Sequence, residues 1–262
     1  MKTFKEISNT RDYKYHSMLK TIFIDDNKFE DAIEDNIKNL KDKITFSITK
    51  YDELCEKTNE KEYSTLTPED FELIDEECFH EGNIELFSQH LRSLNEMRII
   101  YLFKNLELNI KSIIKYAYPD VNTKEFYRWQ ILITFLLEKN IIVNTIVGYE
   151  EVFQLKEVNN TLKHADSFQQ KLSKIPEFIN GFSNTSLEQF TLRVRPKVES
   201  FLEHLSVAVA DERFSFDDER IDKIVDEYFY RMDKSSFEIL IEKLKLKNAL
   251  AIPLQNKKGA AF

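Results

Sequence analysis

The decapeptide from Glu157 to Asp166, EVNNTLKHAD, places two adjacent asparagines five and four residues before His164, one of five histidines in the 262-residue chain. An imidazole titrates near neutrality and serves as general acid or base, while side-chain amides orient a substrate through hydrogen bonds. At 100° per residue, a helix from about Tyr149 to about Ala165 collects Leu155, Val158, Leu162 and Ala165 on one side. Phe153, Glu157, Asn160 and His164 gather on the other, with Asn159 on the flank. Asn160 and His164 are one turn apart and point into the same space, with Lys156 and Lys163 on that edge. Phe153 among these polar groups argues for a face that is not simply bathed in water. The competing reading is an ordinary solvated helix face with no chemistry.

Other constellations are weaker. DEECFHEG gathers Asp75, Glu76, Glu77, Cys78, His80 and Glu81, but a zinc site would show a second pair of Cys or His ligands at a recognisable spacing, so no metal and no cofactor is expected. DERFSFDDER lacks the glycine and alternating ligands of an EF-hand loop and reads as a capped helix start. RVRPK sets Arg193, Arg195 and Lys197 in a small basic patch, a candidate contact for RNA or a partner's acids, with solvated surface as the favoured reading. Cys55 and Cys78 fit no disulfide framework and read as unpaired thiols of a reducing compartment. There is no GxSxG elbow and no HExxH. Four glycines in the chain exclude a Gly-rich phosphate loop.

These residues need elements to position them. The chain is 42% hydrophobic, enough for a sizeable core, and its net charge of -9 excludes a surface coated in positive potential. No apolar run reaches the roughly 18–20 residues of a membrane span, and the N-terminus lacks a leader-like apolar segment, so a cytoplasmic protein is expected. Scarce glycine and proline among Leu, Ile, Lys, Glu and Asn predict an all-α fold. In the first segment Phe29, Ile33, Ile37, Leu40 and Ile44 follow helical spacing. Thr67 is an expected N-cap, with Pro68 at the first helical position. From Leu91 to Tyr118 a stripe of Ile99, Phe103, Leu106, Ile110, Ile113 and Ala117 predicts a long core helix. Thr123 is expected to cap the next, carrying Phe126, Trp129, Leu132, Ile133, Leu136 and Leu137 inward. IIVNTIVG reads equally as strand, short helix or linker. VESFLEHL turns Val198, Phe201, Leu202 and Leu205 inward, a helical pair follows from Asp218, and the tail PLQNKKGAAF reads as frayed.

The order of a long helix bearing LFKNLELNIKSIIK, a second apolar helix, a third carrying LKEVNNTLKHAD and a closing VESFLEHL helix resembles the HEPN superfamily of all-α bundles over roughly Leu91 to Ala210. The family pattern of arginine, polar residue, three variable residues and histidine falls on Asn159, Asn160, Thr161-Leu162-Lys163 and His164. Asparagine stands where the family has arginine. The resemblance implies a HEPN-like bundle over residues 76–210, an N-terminal helical segment over 1–75 and a C-terminal helical extension over 211–262. It implies His164 as the proton-transfer group at an RNA 2′-hydroxyl and Asn160 as an orienting residue. Asn159 would be the third member of the site, with Lys163, Lys156 and Glu157 at the substrate. A homodimer, RNA or a nucleotide as ligand, a cognate protein partner and a role in a prokaryotic defence or toxin-antitoxin type system are implied as well. An asparagine amide is neutral and cannot replace an arginine fork on phosphate, so the expected ribonuclease site is degenerate, with Lys156, Lys163, Arg98 or a second subunit's arginine as substitutes. Glu107 is a candidate acidic partner for His164. The alternative class is a non-catalytic helical interaction or dimerisation module.

Overall fold

The computed structural model describes residues 11–20, 27–58, 65–164, 172–214 and 218–251, and among these the fold is all-α, without strands. In chain order the helices are α1 (Arg11–Lys20), α2 (Asn27–Thr58), α3 (Pro68–Ala117), α4 (Trp129–Glu138), α5 (Tyr149–Lys163), α6 (Asn184–Phe214), α7 (Asp218–Arg231) and α8 (Lys234–Ala251). The side chain of Phe29, residues Ala165 and Asp166, and the tail from Pro253 lie outside the described residues. Two compact units result, residues 1–214 and 215–262.

α3 organises the first unit. Thr67 caps it as its sequence demands: the Asp70 N–H donates to Thr67 Oγ1 at 3.3 Å, and the Thr67 N–H donates to Asp70 Oδ2 at 2.8 Å. These reciprocal bonds satisfy two donors that a helix start would otherwise leave open, and Pro68 follows with its φ already helical. The helix then runs for 50 residues. The stripe expected from Leu91 to Tyr118 is therefore the second half of the helix that Thr67 starts, and position 75 falls inside it.

The C-terminal half of α3 buries Ile99, Phe103, Leu106, Ile110, Ile113 and Ala117 in the main core, together with Leu136, Leu155, Val158, Phe190, Phe201 and Leu205 from α4, α5 and α6. The N-terminal half packs antiparallel on α2 through a smaller cluster of Ile33, Ile37 and Leu91. Between the two clusters lies a buried ion network. Arg98 donates to Glu30 and Glu34 of α2, and Arg195 of α6 donates to the same Glu30 carboxylate at 3.0 Å.

Two local expectations are corrected. Asn122, not Thr123, caps the turn before α4, accepting from the Lys124 N–H at 3.2 Å. Residues 123–127 then form a 3-10 turn, so α4 starts only at Trp129. Leu137, 100° around the helix from Leu136, is exposed, whereas Leu132 and Leu136 are buried. The ambiguous IIVNTIVG segment resolves into a 3-10 turn at Val143–Thr145 followed by Gly148 at φ 85°.

The second unit pairs α7 with α8. Asp233 starts α8 by accepting from the Ser236 N–H and from the hydroxyls of Ser235 and Ser236, and these bonds hold its carboxyl down at about 2. Phe229 and Phe237 meet edge to face across the turn, their centroids 5.7 Å apart.

Candidate functional site

α5 carries the candidate residues, and its first residue is set by a close backbone approach. At Gly148 a Cβ would stand 2.3 Å from the carbonyl oxygen of Lys197 on α6. Only glycine tolerates both that contact and the positive φ, and the start of α5 is thereby seated on α6. One face then sinks inward, with Val152, Leu155, Val158, Asn159 and Thr161 buried.

Asn159 is the correction with most consequence. Expected on the flank, it is 1% exposed, and its Oδ1 has no hydrogen-bond partner. Its position follows Val158 around the helix into the packing against the neighbouring helices, which makes the buried arc wider than the four apolar residues alone define. The residue aligned with the family's arginine therefore points into the core, where an ionic partner for a phosphate would be desolvated.

Asn160, Lys163 and His164 are all exposed. α5 ends at Lys163, and His164 is its C-cap. The His164 N–H donates to the carbonyls of Asn160 and Thr161 at 3.1 and 3.3 Å, which ties the backbone of the motif into one last turn. Asn160 and His164 thus share the terminal turn, as their spacing predicted, and both face water. The carbonyl end of a helix carries partial negative charge, so any anion held here depends on Lys163.

Lys156 and Glu157 are otherwise occupied. Lys156 Nζ donates to Glu157 Oε1 at 2.8 Å and lies 4.6 Å from the centroid of the Phe153 ring. The ammonium covers part of the aromatic face whose place among polar groups argued against a simply solvated surface. The other proposed cations are also paired. Arg98 is buried in the network with Glu30 and Glu34. Arg193 forks onto Glu177 at 2.5 and 2.9 Å and reaches Gln154 of α5 at 2.8 Å. That fork, in a half-buried setting, holds the Glu177 carboxyl below its ordinary value. Glu107 is half-buried on α3.

His80, part of the DEECFHEG cluster, is buried with its ring edge-on to Phe46 and Phe79, at centroid distances of 6.0 and 5.4 Å. Cys55 and Cys78 are free thiols. A cleft of about 540 Å³, lined in part by Arg92, Phe178, Asn180 and Phe182, is lined by none of Asn160, Lys163 and His164. No helix among the described residues is long and apolar enough to cross a membrane.

No family model matches the chain, and no curated protein or solved structure matches it.

Sequence reasoning missed two features. The Glu30–Arg98–Arg195 network joins residues far apart in sequence and leaves no local signature. The apolar residues on the outer face of α3 were legible, because Phe71, Phe79, Leu86, Met97 and Leu108 recur at helical spacing, offset from the core stripe.

Proposed function

We propose that this chain is a HEPN-like RNA-binding protein whose ribonuclease chemistry is lost or very weak. The carrying observation is the contrast between adjacent residues: Asn159, at the arginine position, is buried, whereas Asn160, Lys163 and His164 are exposed on one terminal turn. Such a turn offers an amide, an ammonium and an imidazole to a ribose and phosphate, which suffices for weak recognition. It lacks the fixed cation that stabilises charge building on phosphate in a cleavage transition state. A homodimer and a role in a prokaryotic defence or toxin-antitoxin type system belong to the same proposal, on the strength of the helix order and the NNTLKH motif.

Fluorescence anisotropy with a labelled single-stranded RNA, in low salt without divalent metal, tests the reading. The expected result is binding that weakens with salt and is lost in Lys163→Glu and in Asn160→Ala/His164→Ala, with no cleavage product. No binding at low salt would sink the RNA reading. Metal-free cleavage abolished by His164→Ala would overturn the loss of catalysis.

The second reading, a helical interaction module with no RNA ligand, is favoured by a separate observation, the exposed apolar residues along α3.

A further inference from the structure

Three phenylalanine rings and a guanidinium form a continuous series of contacts from the core to the surface. The rings of Phe190 and Phe178 are 5.2 Å apart, and those of Phe178 and Phe182 stack at 4.9 Å with 28° between their planes. The Arg92 guanidinium of α3 ends the series, its Cζ over the Phe182 ring at 5.5 Å. Phe190 and Phe178 are buried, Phe182 is half-buried and Arg92 is exposed. The series therefore ends at solvent, in the cleft of about 540 Å³ between α3 and the chain that leads into α6.

Local sequence explains why the walls of this cleft hold their shape. Gly181 has φ 105°, which L side chains rarely adopt, and its N–H donates to the Phe178 carbonyl at 3.1 Å. That tight turn lets two rings four residues apart stack on each other. On one side, the Arg193 fork on Glu177 anchors the 3-10 turn Pro176–Phe178 to α6. On the other, Ser183 and Ser186 cap α6 reciprocally, each backbone N–H donating to the other's Oγ at 2.8 and 3.1 Å. Asn184 Nδ2 then donates to the Ser88 carbonyl of α3 at 3.1 Å. Arg92 lies one helical turn beyond Ser88 and donates from Nε to Glu96 Oε1 at 3.0 Å. Walls fixed before a ligand arrives lower the entropic cost of binding.

The lining suits a planar ligand with a polar edge. A guanidinium beside an aromatic ring presents flat, polarisable surface to such a group. Ile179, 64% exposed, adds apolar area at the rim, and the exposed Asn180 carries an amide that offers donor and acceptor together. The volume is that of small-ligand sites, about 300–1,000 Å³. Position in the bundle narrows the chemistry further. The approach of Gly148 to Lys197 and the bond of Arg193 to Gln154 set α5 antiparallel to α6, so Lys163 falls roughly level with Asn184. The bonds of Asn184 to Ser88 and of Arg213 to Ala117 set α3 parallel to α6. The Asn160–Lys163–His164 turn and the cleft are therefore at the same end of the bundle.

We infer that this cleft is a nucleobase-binding site, in which a base lies against Arg92 and Phe182 and its polar edge meets the Asn180 amide. Stacking on aromatic and guanidinium planes, with hydrogen bonds to an edge, is how unpaired bases are held. The base belongs to a free nucleotide or to single-stranded RNA whose phosphate lies on the turn. The choice of a base over other planar groups rests on the RNA-binding reading of that turn. The cleft shares no lining residue with Asn160, Lys163 and His164, so the two fail separately.

Adenosine lacks phosphate and tests the cleft alone. Saturation-transfer NMR with the full chain and about 1 mM adenosine, a range that detects weak affinity, is expected to show more transfer to the base protons than to the ribose protons. Arg92→Ala and Asn180→Ala, both at exposed positions, are expected to lower the transfer at unchanged melting temperature, and Lys163→Glu to leave it as it is. Photolabelling of the parent chain with 8-azidoadenosine is expected to mark Arg92 or residues 172–182. Fluorescence anisotropy separates the two sources of the base. If it comes from RNA, Arg92→Ala weakens single-stranded RNA binding roughly 5- to 100-fold, the loss of one stack; if from a free nucleotide, RNA binding is unchanged. No transfer to adenosine overturns the proposal, as does label outside the cleft or transfer that survives Arg92→Ala. Equal transfer to N-acetyltryptophanamide would make the cleft a site for aromatic peptide side chains and overturn it too. RNA binding that needs Lys163, without adenosine binding, sinks the cleft and keeps the RNA reading; adenosine binding lost in Arg92→Ala, without RNA binding, does the reverse.

Discussion

Arg98 on α3 donates from Nε to Glu30 of α2 at 2.5 Å, and both residues are buried. The pair sits between two hydrophobic clusters and shares its carboxylate with Arg195 of α6. It joins α2 to the main bundle through charge.

Removing Glu30 leaves the buried Arg98 with only the exposed Glu34 as its ionic partner among the described residues. Glu30→Ala is expected to destabilise the protein by about 3–5 kcal/mol, the usual cost of breaking a buried pair. The exposed Lys50–Glu53 pair is a useful control, because exposed ion pairs add little. Urea denaturation followed by circular dichroism measures both, and a Glu30→Ala midpoint equal to the parent's would contradict the role given to the network.

Asn159 allows a sharper test, because the family resemblance and the observed burial predict opposite results. If the position faced a ligand, Asn159→Arg would restore a phosphate-binding cation and raise RNA affinity. Its burial predicts instead a desolvated guanidinium and a loss of several kcal/mol, roughly the cost of an unpaired buried charge. Asn159→Leu, which removes a buried amide whose Oδ1 has no hydrogen-bond partner, is expected to leave stability unchanged or raise it. Melting temperatures of the two variants, measured beside RNA affinity, decide between them.

Gly148 seats the motif helix on α6. Gly148→Ala forces an L-residue into positive φ, at a cost of about 1–3 kcal/mol, and drives its Cβ into the Lys197 carbonyl. The start of α5 must lift away. Amide hydrogen exchange is expected to speed up in residues 149–155 relative to α4; uniform protection would show that the contact is not needed.

Glu177 ties acid stability to Arg193. The fork from Arg193 depresses the folded-state pKa of Glu177 below its ordinary 4.5, so the pair stabilises the fold fully above that value. The contribution is lost as pH falls through the depressed folded value. Arg193→Gln is expected to remove this part of the acid limb, narrowing the stability difference from the parent chain as pH drops below about 4.5. Thermal melts across pH 2–6 provide the check, and a difference independent of pH would place the effect of Arg193 in packing alone.

The sequence by itself determined the helices and most of the core. Ile99, Phe103, Leu106, Ile110, Leu136, Leu155 and Val158 pack in one cluster because three- and four-residue spacing puts them on one side of each helix whatever the surroundings. The start at Thr67 was equally legible, since a capping box is closed by residues three apart. Tertiary structure decided what periodicity leaves open. Asn159 follows Val158 into the core because the neighbouring helices cover a wider arc than the apolar residues of α5 mark. Lys156 is turned onto Phe153 and Glu157, and Arg98 and Arg195 are drawn to Glu30 of a distant helix, so charges that looked available to a ligand are neutralised within the fold. α3 is apolar on two faces, and amphipathicity cannot say which of two such faces a chain buries. The packing of α2, α5 and α6 chooses the side of Leu91 and Leu106, leaving Phe79, Leu86 and Met97 in water, because a helix can be covered by its own chain only where its neighbours reach.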